Sequence, residues 1–177
     1  MYKRQVYSFP ARANYLGGDI ISGILASDLD RQEEIGVFLD IGTNGELVIG
    51  NRDFLLGGAG AAGPALEGGV VRTGMRAEEG AVSYVKLTDG EFHLTVIGGG
   101  APRGICGSGI VDLLAELFLH GWVDIRGRFL PQASEKIQRR EPEQELAVEY
   151  APDLWFYQSD ISEFIKTKAA AHTMVEY

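Results

Sequence analysis

The stretch 35–69, IGVFLDIGTNGELVIGNRDFLLGGAGAAGPALEGG, constrains the fold more than any other part of the chain. Ile35, Val37, Phe38, Leu39 and Ile41 form an apolar run on both faces, the pattern of a strand buried on both sides. Asp40 breaks that run near its end, where a carboxylate needs a reason. Gly42, Thr43, Asn44 and Gly45 follow, then a second apolar run from Leu47 to Ile49. Asn44-Gly45 between two strand-like runs predicts a β-hairpin turning at those two residues, since both tolerate positive φ. On the plain reading Asp40 merely starts the turn. On the sharper reading the turn clamps a phosphate. Backbone N–H groups of a Gly/Thr/Asn turn point at phosphoryl oxygens, and a carboxylate closing the preceding strand holds magnesium directly or through its waters.

Two further glycine-rich stretches follow. Gly57-Gly58-Ala59-Gly60-Ala61-Ala62-Gly63-Pro64 is expected as a loop after a third strand. Pro64 fits the first turn of a short helix carrying Leu66 and Glu67, and Gly60 and Gly63 let a ligand approach the backbone. The third stretch, GGGAPRGICGSG at 98–109, leads into a helix with Ile110, Val111, Leu113, Leu114, Leu117 and Phe118 on its apolar side. Gly121 is placed to end that helix. A glycine-rich loop entering a helix N-terminus is an anion site, which makes Gly107 and Ser108 candidate phosphate contacts. The same glycines serve equally well to let a helix pack tightly on a sheet. A helix N-terminus also lowers the pKa of a thiol, but Cys106 has no evident histidine partner and is expected as a small packing residue.

The remaining elements are plainer. Val6 to Pro10 fits a short strand, and Gly17-Gly18-Asp19 opens a helix with Ile20, Ile21, Ile24, Leu25 and Leu29 on one face. Asp19 suits its cap. Ser83–Thr88 and Glu91–Ile97 alternate around Asp89-Gly90 as a second hairpin, with His93 an ordinary strand residue. Arg72 and Arg76 read as surface cations. From Leu130 to Ala147 the chain turns polar, and a surface excursion is expected. Order resumes at Leu154–Tyr157, and Ser159 or Asp160 caps a last helix, Asp160 with Glu163 as a capping box.

Composition narrows the class. At 177 residues and 45% hydrophobic content the chain can bury one proper core. A net charge of −9 argues against nucleic acid or an anionic membrane as main partner. No apolar run approaches the ~20 residues of a membrane helix, and a cytoplasmic location is the expectation. One cysteine allows no internal disulfide and cannot ligate an iron–sulfur cluster.

The runs DIGTNGE, AAGPALEGG, GMRA, GICGSGIVDLLAELF and QSDI, in this order from about Val6 to the end, resemble the reductive activators of corrinoid proteins. Those belong to the superfamily of actin, sugar kinases and heat-shock chaperones, where Asp-x-Gly-Thr lies between two strands. The resemblance implies an α/β, ribonuclease-H-like (actin-like ATPase) lobe, a mixed sheet flanked by helices. It implies ATP and magnesium as cofactors, Asp40 as the residue near the metal, and Asp19 as orienting the attacking water. It further implies a corrinoid methyl-transfer protein as partner, reduced at the expense of ATP, with a homodimer compatible. Residues 6–177 are then expected as a single partial domain, a second lobe truncated at both ends. A [2Fe-2S] cluster belongs to an upstream domain, and residues 1–5 have no assigned role. A small-molecule kinase of the same superfamily and a non-catalytic interaction module are the competing readings.

Overall fold

In the first unit, helix α1 (Gly18–Ala26) precedes three antiparallel strands, β1 (Gly36–Ile41), β2 (Asn44–Gly50) and β3 (Leu55–Ala61), ordered β1-β2-β3. This computed structural model describes residues 8–11, 16–61 and 63–176. The chain divides into two compact units, Met1–Ala62 with Ala170–Tyr177, and Gly63–Ala169. Of the strand expected at Val6–Pro10, Val6 and Tyr7 lie outside the described residues, and Ser8–Pro10 carry no strand.

Helix α1 follows its apolar spacing. Ile20 and Ile24, one turn apart, cluster with Leu29 of a short 3-10 turn and Val48 of β2, and Phe38 of β1 packs against them. Phe38 and Val48 are direct cross-strand partners, so α1 lies over that face of the sheet. Each fully buried side chain of this size stabilises the fold by about 1.5–3 kcal/mol.

Three expectations about this hairpin change. Strand β1 is buried on one face only: Val37 is 61% exposed and Leu39 40%. The apolar run reads alike on both faces, and only pairing decides which face is covered. The turn is Gly42-Thr43; Asn44 and Gly45 are already in β2, opposite Ala61 and Gly60. Gly42 and Gly45 are not among the residues with positive φ, so the Asn-Gly turn signal points to the wrong pair. The run Gly57–Ala61 is strand β3 itself, not a loop behind it.

The second unit opens with a 3-10 turn, Pro64–Glu67, with Pro64 in its first turn as expected. Strands β4 (Ala81–Thr88), β5 (Glu91–Val96) and β6 (Gly104–Ile105) form a mixed sheet ordered β5-β4-β6, antiparallel at β4–β5 and parallel at β4–β6. Asp89 and Gly90 make the turn with φ of 51° and 80°. Helix α2 (Gly107–Leu119) lays Ile110, Leu113 and Leu117 on Val82, Val85 and Leu87, all at most 1% exposed. Close approach is set at Gly109, where a Cβ would stand 2.3 Å from the Val82 carbonyl oxygen. A carboxylate then pins the pair. Glu116 accepts hydrogen bonds from the Leu87 N–H at 2.9 Å and from Lys86 Nζ at 2.8 Å.

Strands β7 (Ile137–Arg140), β8 (Glu145–Ala151) and β9 (Leu154–Tyr157) form a third, antiparallel sheet. The excursion expected over Leu130–Ala147 therefore holds a strand and the start of another. Most of its polar residues fall on exposed positions, with Ser134, Lys136 and Glu145 partly covered, while Ile137 and Ala147 supply the buried ones. Helix α3 (Gln158–Glu176) follows β9 directly. Asp160 serves it otherwise than expected. Its Oδ2 reaches back to accept the Tyr157 N–H at 2.8 Å, the part usually played by the acidic third residue of a capping box.

Candidate functional site

The candidate residues divide between the two units. Asp19, Asp40, Gly42, Thr43, Asn44, Gly45 and Gly60 lie in the first, and Gly63, Glu67, Gly107 and Ser108 in the second.

In the first unit Asp40 is the penultimate residue of β1 and pairs across the ladder with Glu46 of β2. Side chains alternate along a strand, so Asp40 shares the face of Phe38, and Glu46 that of Val48. This is the face covered by α1, whose first turn carries Asp19. Three carboxylates thus gather at one end of the hairpin. Burial raises the Glu46 carboxyl above the ordinary glutamate range, and the charges of Asp40 and Asp19 raise it further. Like charges directly opposite in a strand pair are destabilising. Glu46 was missed in the sequence; what exposes it is the register, which the DIGTNGE run alone does not fix.

Asp19 is not the cap of α1. Gly17 holds that position, and Asp19 Oδ1 accepts the N–H of its neighbour Ile20 at 2.9 Å. It still sits at the positive end of the helix dipole. Among the described residues, no group of three or more His, Cys, Asp or Glu is placed to hold a metal by itself.

At the turn, Gly42 donates its N–H to the Asn44 carbonyl at 2.8 Å, so that N–H is used within the turn. Gly60 stands across from Gly45 in β3 and leaves that side of the ladder without a side chain.

The second unit holds a cleft of about 690 Å³ at the N-terminus of α2, lined by Gly68, Gly69, Arg76, Gly107 and Ser108 among others. Its other wall is the segment 68–77, folded back so closely that a Cβ on Gly74 would lie 2.1 Å from the Gly68 carbonyl oxygen. Met75 N–H donates to the Ile105 carbonyl, and Ile105 N–H to the Thr73 carbonyl, both at 2.9 Å. Thr73 is anchored in turn: Tyr150 Oη donates to its Oγ1 at 2.9 Å, and Asp160 Oδ1 accepts the neighbouring Arg72 N–H at 3.2 Å. Burial raises the Asp160 carboxyl, and pushes the Tyr150 phenol up to about 12.

The cleft brings Gly107 and Ser108 together; Gly63 is not among its lining residues. Gly63 is the N-cap of the 3-10 turn with φ of 85°. Glu67 lies in that turn, its side chain outside the described part. Ser108 Oγ donates to the Ser83 carbonyl at 2.8 Å, which ties this hydroxyl to the strand. Cys106 is 2% exposed, with Sγ 3.4 Å from the Val82 carbonyl oxygen, as expected of a packing residue. Arg72 is paired with Glu145 at 2.7 Å and lies over the Tyr157 ring at 4.0 Å, a structural role. Arg76, read from sequence as a surface cation, has no carboxylate partner among the described residues and faces the cleft.

No described helix is long and apolar enough to cross a membrane. Residues 34–177 match the family described as the C-terminal domain of RACo, the ASKHA domain. The corrinoid activation enzyme RamQ of Eubacterium limosum is 40% identical over 128 residues, covering 72% of this chain and 21% of the relative. The [Co(II) methylated amine-specific corrinoid protein] reductase of Methanosarcina barkeri is 33% identical over 88 residues, 50% of this chain and 16% of that protein. Among solved structures, a reductive activator for a corrinoid, iron–sulfur protein superposes with a TM-score of 0.85 at 39% identity, over 96% of this chain and 28% of that one. The chain thus spans a fifth to somewhat over a quarter of the length of the first of these relatives and of the solved structure. Its α/β architecture is that of an actin-like ATPase domain, and the chain belongs to the family of C-terminal ASKHA domains of the reductive activators of corrinoid proteins.

Proposed function

We propose that this chain is the nucleotide-binding part of an ATP-dependent reductive activator of corrinoid methyl-transfer proteins, with Mg·ATP taken at the Gly42-Thr43 hairpin. The observation that carries the reading is the carboxylate pair Asp40 and Glu46, set face to face across β1 and β2 beside a glycine-bearing turn, with Asp19 acting on the same group. Such a set is repulsive when empty and favourable around a divalent cation. When bound, magnesium would neutralise the phosphate oxygens, and Asp40 is the residue we assign to it or to its waters.

In this scheme Thr43, Asn44 and Gly45 position the phosphates, Gly60 leaves room beside them, and Asp19 orients the attacking water. Within the second unit, taken by itself, Gly107 and Ser108 at the anion-attracting end of α2 are a separate candidate phosphate contact, as are Gly63 and Glu67 in the turn before it. The partner and the coupling to reduction rest on the names of the relatives, which act on corrinoid proteins.

The experiment is a thermal melt with and without millimolar Mg·ATP. A ligand that binds only the folded state raises Tm by mass action. The wild-type chain should gain stability with Mg·ATP and not with ATP in excess EDTA, and Asp40→Asn should lose the gain. An equal gain in Asp40→Asn would remove Asp40 from the site.

A further inference from the structure

The wall of the second unit's cleft is held by a carboxylate that does not line the cleft. Three consecutive ties fix that wall, the segment 68–77, to other elements of the unit. Arg72 donates its N–H to Asp160 Oδ1 at 3.2 Å. Thr73 Oγ1 accepts from Tyr150 Oη and donates to the Trp155 carbonyl at 3.3 Å. The Thr73 carbonyl and the Met75 N–H then bind the N–H and carbonyl of Ile105, the residue just before Cys106 and the start of α2. Asp160 stands apart among these anchors. It is 2% exposed, and both its oxygens are spent on backbone N–H groups, that of Arg72 and, at 2.8 Å, that of Tyr157. A serine, threonine or asparagine would start a helix as well. Only a carboxylate offers two acceptor oxygens on one carbon to two donors that lie far apart in the chain, and burying it is costly unless both are satisfied.

The charged and titratable groups around Asp160 come from each element packed on it. The Arg72 guanidinium of the wall lies over the Tyr157 ring of β9 and pairs with Glu145 of β8 and, at 3.7 Å, with Glu143. Glu145 also accepts the Ser159 N–H, and the Tyr150 phenol belongs to the same strand, β8. Burial, and after it the charge of Glu145, push the Asp160 carboxyl up, against the two N–H groups and Arg72. We propose that Asp160 is the positioning residue of the cleft: through the Arg72 N–H it holds the segment 72–77, and with it Arg76, in place beside Gly107 and Ser108. This deepens the reading of the cleft as a candidate phosphate contact, whereas the test reads the wall with no ligand present, so the two fail separately.

The test is an NMR pH titration of the isotope-labelled chain, followed by amide hydrogen exchange. The amides of Arg72 and Tyr157 should shift together with one midpoint, above the ~4 of an ordinary aspartate. Those of Arg76, Gly107 and Ser108 should follow with the same midpoint, although none of them touches Asp160. Asp160→Asn keeps the shape of the side chain but leaves one acceptor oxygen. In that variant the shared transition should vanish, and exchange at Met75 and Ile105 should quicken by at least about tenfold through local opening of the wall. Leu113 and Leu117, inside α2, should keep their rates. Tyr150→Phe loosens Thr73 without touching Asp160 and should retain the transition. The wild-type titration decides even where Asp160→Asn does not fold. Amides of Arg76, Gly107 and Ser108 that ignore the transition at Arg72 and Tyr157 overturn the proposal. So does an Asp160→Asn variant whose exchange quickens equally throughout the unit, because Asp160 would then serve general stability and not the cleft.

Discussion

Glu46 is the residue whose behaviour most directly reports the electrostatics of the hairpin. Its folded-state pKa is raised by burial, then by Asp40 and Asp19. A raised pKa stabilises the fold below the unfolded value, and that contribution is lost as pH rises through the folded value. At neutral pH the ionised group is therefore a liability. Glu46→Gln should raise Tm at pH 7 in the absence of divalent ions, and the gain should vanish below pH ~4, where wild-type Glu46 is protonated. Melts across that range check the sign, and a Tm lowered by Glu46→Gln at pH 7 without metal would contradict it. Asp40 was legible as a candidate because a carboxylate interrupts an apolar run. Glu46 was not, because its significance depends on the register that places it opposite Asp40, and the Asn-Gly signal put the turn two residues too late.

At the scale of elements, α2 on β4 is the firmest contact, and it was largely readable: the helical spacing of Ile110, Leu113 and Leu117 appears in the sequence and is found buried. What the sequence left open was the use of the glycines before it. The structure gives Gly109 to packing, with the Val82 carbonyl 2.3 Å from where a Cβ would be. Gly109→Ala should therefore destabilise the protein by about 1–3 kcal/mol, as overpacking does, measurable by urea denaturation. A neutral effect would mean that α2 rides further from β4 than described. Glu116 gives a second check. Its carboxyl is held below the ordinary range, first by the hydrogen bond from Lys86 and also by the Leu87 N–H, against the opposing effect of burial. A depressed pKa stabilises above the unfolded value and is lost as pH falls through the folded one. Wild type should thus lose more stability than Glu116→Gln between pH ~5 and ~3; parallel losses would sink the assignment. The third sheet was not legible. Its first two strands lie within or at the edge of a run rich in charged residues, and their buried positions do not alternate, so no period-two pattern marks them.

At the scale of the molecule, the chain is an α/β member of the ASKHA-domain family, and its two units each hold part of the candidate set. The phosphate donors of the first unit are few. Gly42 N–H is used within the turn, and each remaining hydrogen bond to a phosphate contributes a net ~0.5–1.5 kcal/mol in competition with water. Association costs several kcal/mol in lost translation and rotation. Affinity of the 177-residue chain for Mg·ATP should then fall in the roughly millimolar range. The most direct measurement is an NMR titration of the labelled chain with Mg·ATP, following the backbone amides of 42–45. Shifts there that saturate in that range with Mg·ATP, and that weaken by at least about tenfold in Asp40→Asn, are the predicted result. Amides of 42–45 that stay still at saturating nucleotide, or that titrate identically in Asp40→Asn, would contradict the hairpin as the nucleotide site.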